Sequence, residues 1–277
     1  MPAATIAQAL PYANWILLIS LAVGSFAFVA ILGQATDATR GYLGFTAVCA
    51  AVLATIALIA DLALPAPGGL TIVAPPAELD LARRMGLGVF AALAVGYALA
   101  VRRQQWRAPL AVLAVGAGAA TLVAAAAGWA PTVVDSVPLL VQLCVLAAAA
   151  GGALAAVILG HWYLVTPRIS ERPLVLATRL LTGVVALQLA LFVVWTTLSG
   201  GPVQLAFEAF AGGPVLFVVL RLVVSLLFAL VLSDMAIRTA QTRSMESATG
   251  LLYIDLAAIL AGTIGAAALY LSAGLLV

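Results

Sequence analysis

The chain has no lysine, a single histidine (His161), two cysteines and few charges of either sign, charged residues making up 8% of its 277 positions. Each shortage removes a chemistry. Without lysine there is neither a Schiff base nor a catalytic amine. One histidine with Cys49 and Cys144 cannot furnish a zinc site of imidazole and thiolate ligands, and bis-histidine haem ligation would need a second chain. The two cysteines fall at different depths of their apolar runs, so a disulfide is not expected and both read as small core hydrophobes. No phosphate loop, G-x-S-x-G or HExxH is present. No metal or covalent cofactor is expected.

What is abundant is apolar surface. Hydrophobic residues make up 65% of the chain and the mean hydropathy is +1.23, which implies an integral membrane protein whose first partner is the lipid bilayer, with no nucleic acid. A span needs roughly 20 apolar residues. Eight such runs lie near 13–33, 41–64, 85–101, 109–128, 137–163, 174–198, 214–238 and 250–276. The expected fold is therefore all-α: a polytopic bundle of eight transmembrane helices forming a single integral membrane domain over 1–277. The third run is short and has to borrow from its flanks. The first lacks Lys or Arg before it and is too long for a signal-peptide core, so it reads as a retained span.

All twelve basic residues are arginines, and their distribution sets the expected orientation. Arg102, Arg103 and Arg107 lie between runs three and four, Arg168 and Arg172 between five and six, and Arg238 and Arg243 near the connection from seven to eight. The acidic Glu78, Asp80, Asp135 and Glu208 fall in the alternate connections. The positive-inside rule then places both termini outside, in the cell (inner) membrane. Arg83 and Arg84 dissent, at the outer entrance of the third run.

The prolines predict continuous helices. None falls in the middle of a run, and Pro109, Pro138, Pro173 and Pro214 are placed in first turns, where a missing N–H costs nothing. Small residues four apart (Gly116 with Ala120, Ala148 with Gly152, Ala261 with Gly265) predict close packing inside the bundle. An offset of 64 residues aligns "GVFAALAVGYALAVRRQQWRAPL" with "GALAAVILGHWYLVTPRISERPL", a weak internal repeat. The longest connection, residues 65–80, is apolar and Pro-rich and reads as a stiff linker or a partner-docking loop. No connection is long enough for a soluble domain.

Counting along the runs brings several polar residues to one level near the cytoplasmic face: His161, Trp162, Tyr163, Arg179, Asp234, Tyr253 and Asp255. A sparser outer layer is expected to pair Arg221 with Asp61. Ionisable groups in a membrane cost on the order of 2.5–3.5 kcal/mol each at a helix centre, so gathering them implies pairing or function. Histidine exchanges protons near neutral pH, Asp, Tyr and Arg polarise a carbonyl, and Trp offers an aromatic wall. That set suits a quinone head group or a proton site. The leading expectation is a membrane subunit of a redox or electron-transport complex, with other membrane or peripheral subunits as partners. A small transporter or permease, a noncatalytic assembly subunit and an intramembrane enzyme acting on lipid are the alternatives. Helix count and orientation resemble those of the membrane anchors of quinol-linked oxidoreductases, with no shared motif.

Overall fold

The computed structural model describes residues 3–103, 107–166, 169–198 and 219–277. Their regular structure is helical: α1 (Ala3–Ala35), α2 (Arg40–Leu62), α3 (Ala77–Arg103), α4 (Arg107–Trp129), α5 (Val133–Val165), α6 (Arg172–Leu198), α7 (Leu220–Gln241) and α8 (Met245–Ala273). All eight are long and apolar enough to cross a membrane, the shortest having 22 residues, where roughly 20 are needed. Successive helices alternate in direction. The bundle thus has a proximal end, where α1 begins, and a distal end, where α1 finishes. Pro214, Glu208 and Arg168 lie outside the described residues.

Several helices run past their apolar cores because their ends are chemically fixed. Thr39 caps α2 by accepting from the Tyr42 N–H, and Thr132 caps α5 by accepting from Asp135. The start at Val133 corrects the placing of Pro138, which lies in the second turn of α5 and not the first; Pro11 likewise lies within α1. α3 begins at Ala77, taking in "ELDLARRM" as its short apolar run required. α8 stops at Gly274 in the left-handed conformation (φ 68°), where its N–H bonds the Tyr270 carbonyl.

α1 and α5 are the buried axis. They touch backbone to backbone: a Cβ on Gly24 would lie 1.7 Å from the Ala147 carbonyl oxygen, and one on Gly151 would lie 2.2 Å from the Ser25 nitrogen. Small residues allow this approach where no hydrophobic force drives helices together. The pairs expected from sequence contribute unevenly. Gly152 packs on Phe28 and Gly265 is buried, but Gly116, Ala120 and Ala261 face outward, and α4 uses Gly118 instead, against Val23 and Phe90. Gly151→Leu should prevent assembly, because the clash is with backbone and no rotamer relieves it; a Gly151→Leu protein that elutes and melts like wild type would contradict this packing.

The packing of α1–α4 recurs in α5–α8. α1 contacts α2, α4, α5 and α8, while α5 contacts α6, α8, α1 and α4; α3 bridges α2 and α4 as α7 bridges α6 and α8. The sequence carries a trace of this repeat. An offset of 127 residues matches Pro11 with Pro138, Gly24 with Gly151, Ile31, Leu32 and Gly33 with Ile158, Leu159 and Gly160, and Thr39 with Thr166. An offset of 138 matches Arg83 with Arg221, Phe90 with Phe228, Ala91 with Ala229 and Ala98 with Ala236. The 64-residue offset is therefore not the repeat of the fold, since it equates the peripheral α3 with the central α5.

One helix departs from the expected continuity. Leu220–Phe228 is wound as a π-helix and only Ala229–Gln241 of α7 is α-helical. The Ser225 hydroxyl donates to the Arg221 carbonyl oxygen at 2.8 Å, occupying an acceptor that an α-helix would offer to the fourth N–H along. π-Helical turns are rare and concentrate at functional sites.

The connection between α2 and α3 is tied down near its middle. Thr71 bonds the Leu271 carbonyl through its N–H at 2.9 Å, and Val73 bonds that of Trp129 at 3.0 Å. Ile72 between them is buried. The loop ties the proximal ends of α4 and α8 together.

Candidate functional site

The distal polar layer does not converge. His161 and Arg179 are exposed on the outside of their helices, and Tyr253 is 51% exposed. Asp234 pairs with Arg238 one turn away on α7, at 2.8 Å and largely in the open. Trp162 packs over Gly41 and beside Phe45. Tyr163 is buried, but its hydroxyl is spent on the Ser170 carbonyl oxygen at 2.5 Å. Of the seven residues only Asp255 is a buried ionisable group within the bundle. His161→Ala should accordingly leave the melting temperature and the activity of any complex unchanged, within about 0.5 kcal/mol for stability. A selective loss of activity in that variant would restore the layer as a site.

The expected pair of Arg221 with Asp61 is corrected. Asp61, fully buried at the proximal end of α2, accepts from Arg83 Nε at 2.6 Å and Nη2 at 3.0 Å, and from Arg84 Nε at 2.8 Å. Asp80 accepts from both arginines as well. The Arg83 guanidinium lies over the rings of Trp129 and Trp15, 5.0 and 5.7 Å from their centroids. Tyr12 closes the group, stacking edge-on with Trp129 and donating to the Pro65 carbonyl oxygen. Two aspartates thus offset two arginines inside the protein, which is why Arg83 and Arg84 do not count against the charge asymmetry of the loops. The partnership was hidden because Arg83 stands next to the outer connection in sequence and reads as part of it.

Arg221 occupies the corresponding place in the second half, with different partners. It is 2% exposed and donates at 3.2 Å to the main-chain oxygen of Val277, the Ser225 hydroxyl and the Gln188 side-chain oxygen. Gln188 in turn donates to the Val145 carbonyl oxygen at 2.7 Å, and Gln142 to the Val277 oxygen at 2.8 Å. No carboxylate side chain pairs with Arg221 among the described residues. Gly262 of α8 makes room for it, since a Cβ there would meet Ser225 at 1.9 Å.

Asp255 lies ten residues into α8, about 15 Å along it, and is completely buried. The Ser233 hydroxyl donates to its Oδ2 at 2.6 Å, while Oδ1 has no partner among the described residues. Arg221 stands level with Gly262, roughly 10 Å further along α8. Ser225 and Ser233 lie eight residues apart on α7, on the face turned to α8. The second half therefore encloses one cation, one carboxyl and the hydroxyls between their levels. At the offset of 138 residues the positions of Asp255 and Gly262 fall on Ala117 and Ala124 of α4.

Sequence reading located Asp255 but missed Ser233 and the Gln188–Ser225 cradle of Arg221. The available signal was the four-residue spacing of Arg221, Ser225, Ala229 and Ser233 along one helical face. The cysteines are free, and the expectation that both are core residues fails for Cys144, which is exposed on α5. No cluster of metal-ligating side chains occurs among the described residues. Comparison of the chain with protein-family models, curated proteins and solved structures returns no match.

Proposed function

We propose that the chain is a proton-handling membrane subunit of an electron-transport complex, with Asp255 as the group that takes up and releases the proton. The carrying observation is the enclosure of Asp255: it is fully buried in a helix of membrane-spanning length, one oxygen bonded to Ser233 and the other with no partner among the described residues. Intramembrane ionisable residues facing a bundle interior mark ion and proton pathways more often than they serve packing. Arg221 supplies a fixed positive charge on the same helix pair, held in a π-helical segment.

The divergence of the two halves supports the same assignment. In the first half the buried Asp61 and Arg83 pair directly, with the partly exposed Arg84 and Asp80 beside them. In the second, Asp255 and Arg221 are both buried and bond to other groups, Asp255 to Ser233 and Arg221 to Val277, Ser225 and Gln188. The driving force has to come from partner subunits or from a gradient, because the chain offers no nucleotide motif and no metal-ligand set. A quinone head group bound by His161, Arg179 and Tyr253 gains no support, since those side chains face different ways. The transporter alternative needs room between repeats, and the contact of Gly24 with Gly151 closes that interface. Eight of the eleven described arginines (all except Arg83, Arg84 and Arg221) belong to the distal end, which supports placing that end in the cytoplasm and both termini outside, in the cell membrane.

The test is proton flux into vesicles carrying the purified protein, with the partners that copurify, under an imposed potential or during turnover. Flux that Asp255→Asn removes supports the proposal. Flux equal in the two proteins, or none above empty vesicles in the wild type, refutes it.

A further inference from the structure

We propose that the proximal cavity beside the α2–α3 connection binds the ring of an oxidised quinone, through a carbonyl oxygen that accepts from Arg83. The choice of a quinone rests on the electron-transport reading. The cavity has a volume of about 310 Å³, and Tyr12, Trp129, Asp80, Arg83 and Arg84 line it together with the connection itself. Arg83 is 1% exposed; its Nε and Nη2 are spent on Asp61 and Asp80, while Nη1 has no partner among the described residues. A guanidinium is planar and its N–H directions are fixed. Nε and one N–H of Nη2 form the fork that holds Asp61, so the second N–H of Nη2 serves Asp80 and an N–H of Nη1 runs alongside it. Asp80 lines the cavity, and the unpaired donor is therefore directed to the same side.

The carboxylates have nothing left to accept. All four oxygens of Asp61 and Asp80 are already engaged by Arg83 or Arg84. A ligand here gains by accepting a hydrogen bond and loses by bringing donors of its own. The two aspartates also offset the two arginines, so an anion would add a charge with no counterpart. What fits is a neutral molecule with acceptor oxygens, and the walls suit a flat one: Pro65, Pro67 and Pro75 supply apolar ring surfaces beside the aromatic Tyr12 and Trp129. A quinone is neutral and flat, accepts at two oxygens and donates at none. The corresponding quinol has the same shape and two O–H donors to place. Asp61 is the last residue but one of α2, which sets the cavity at the proximal membrane boundary, within reach of a lipid-soluble ring.

Equilibrium dialysis of the purified protein in detergent against empty micelles, under nitrogen, tests this with duroquinone, durohydroquinone and benzoate as probes. Duroquinone has no free ring position for Cys49 or Cys144 to attack. One should bind per chain, at least about fivefold more tightly than durohydroquinone, whose hydroxyls meet no free carboxylate oxygen, and more tightly than benzoate. Ala74→Trp should block binding by filling the cavity from its rim with every charge in place. Ala74 is exposed, so elution and melting should match the wild type. Arg84→Gln frees Oδ2 of Asp80 to accept and should narrow the preference for the oxidised ring. Equal binding of the two ring forms overturns the proposal, as do tighter binding of benzoate, duroquinone binding unchanged in Ala74→Trp, and no saturable binding above the micelles. Binding is read without turnover, so its failure leaves the Asp255 flux test standing. Specific duroquinone binding beside a flux that Asp255→Asn leaves untouched would refute the proton reading alone.

Discussion

Asp61→Ala should cost about 3–5 kcal/mol of stability, the range for breaking a buried ion pair from one side. Asp61 accepts three hydrogen bonds from two arginines, and it and Arg83 are 0% and 1% exposed. Removing it leaves Arg83 buried with Asp80 alone, against Trp15 and Trp129. The rings recover part of the loss, since a desolvated cation–π contact contributes about 2 kcal/mol, and Nη1 of Arg83 already lacks a partner. The decisive comparison is with Asp61→Ala/Arg83→Met. Removing both charges should be less damaging than removing the aspartate alone, because the cost lies in the uncompensated cation. Thermal melts in one detergent measure both. Additive losses would mean that Asp61 acts through packing and not through charge.

The second large effect belongs to Asp255. Asp255→Asn preserves shape and can still accept from Ser233 at Oδ1, so the melting temperature should change little. Proton transfer should fall by at least tenfold, toward the 10²–10⁴-fold that a positioned proton-transfer group contributes. Ser233→Ala should give an intermediate loss, because it removes the one hydrogen bond that orients the carboxyl. Asp234→Asn on the same turn is the control: its partner is the exposed Arg238, and exposed pairs contribute about 0–1 kcal/mol. Loss of flux with Asp234→Asn and not with Asp255→Asn would reverse the assignment.

Helix number and approximate limits were legible in sequence because apolar length is a one-dimensional property. The start of α5 moved outward by four residues where the Thr132 cap continued the helix beyond its apolar run, and that of α2, capped by Thr39, by one. Counting along the runs brought His161, Arg179, Tyr253 and Asp255 to one level, but α8 starts at Met245 and sets Asp255 ten residues from its distal end, against four for His161 on α5. Azimuth was not legible. A helix offers a full turn of directions at each depth, and in an apolar chain bathed in lipid the hydrophobic pattern does not tell inside from outside. The four-helix repeat was masked for a related reason. Ala, Val, Leu and Ile replace one another freely along the helices, so that only Pro11 with Pro138, the paired glycines and Arg83 with Arg221 keep it visible. The π-helical winding at Arg221, where Ser225 turns back to the Arg221 carbonyl and packs on Gly262, was not legible either.

The most direct test of the central claim is infrared difference spectroscopy of the membrane-reconstituted protein across a pH step, in H₂O and in D₂O. The proton reading predicts a carboxylic C=O band that appears on acidification, shifts in D₂O and is absent from Asp255→Asn. A carboxyl that never exchanges, or a spectrum identical in wild type and Asp255→Asn, would mean that Asp255 is a sealed structural group and that the chain does not move protons through it.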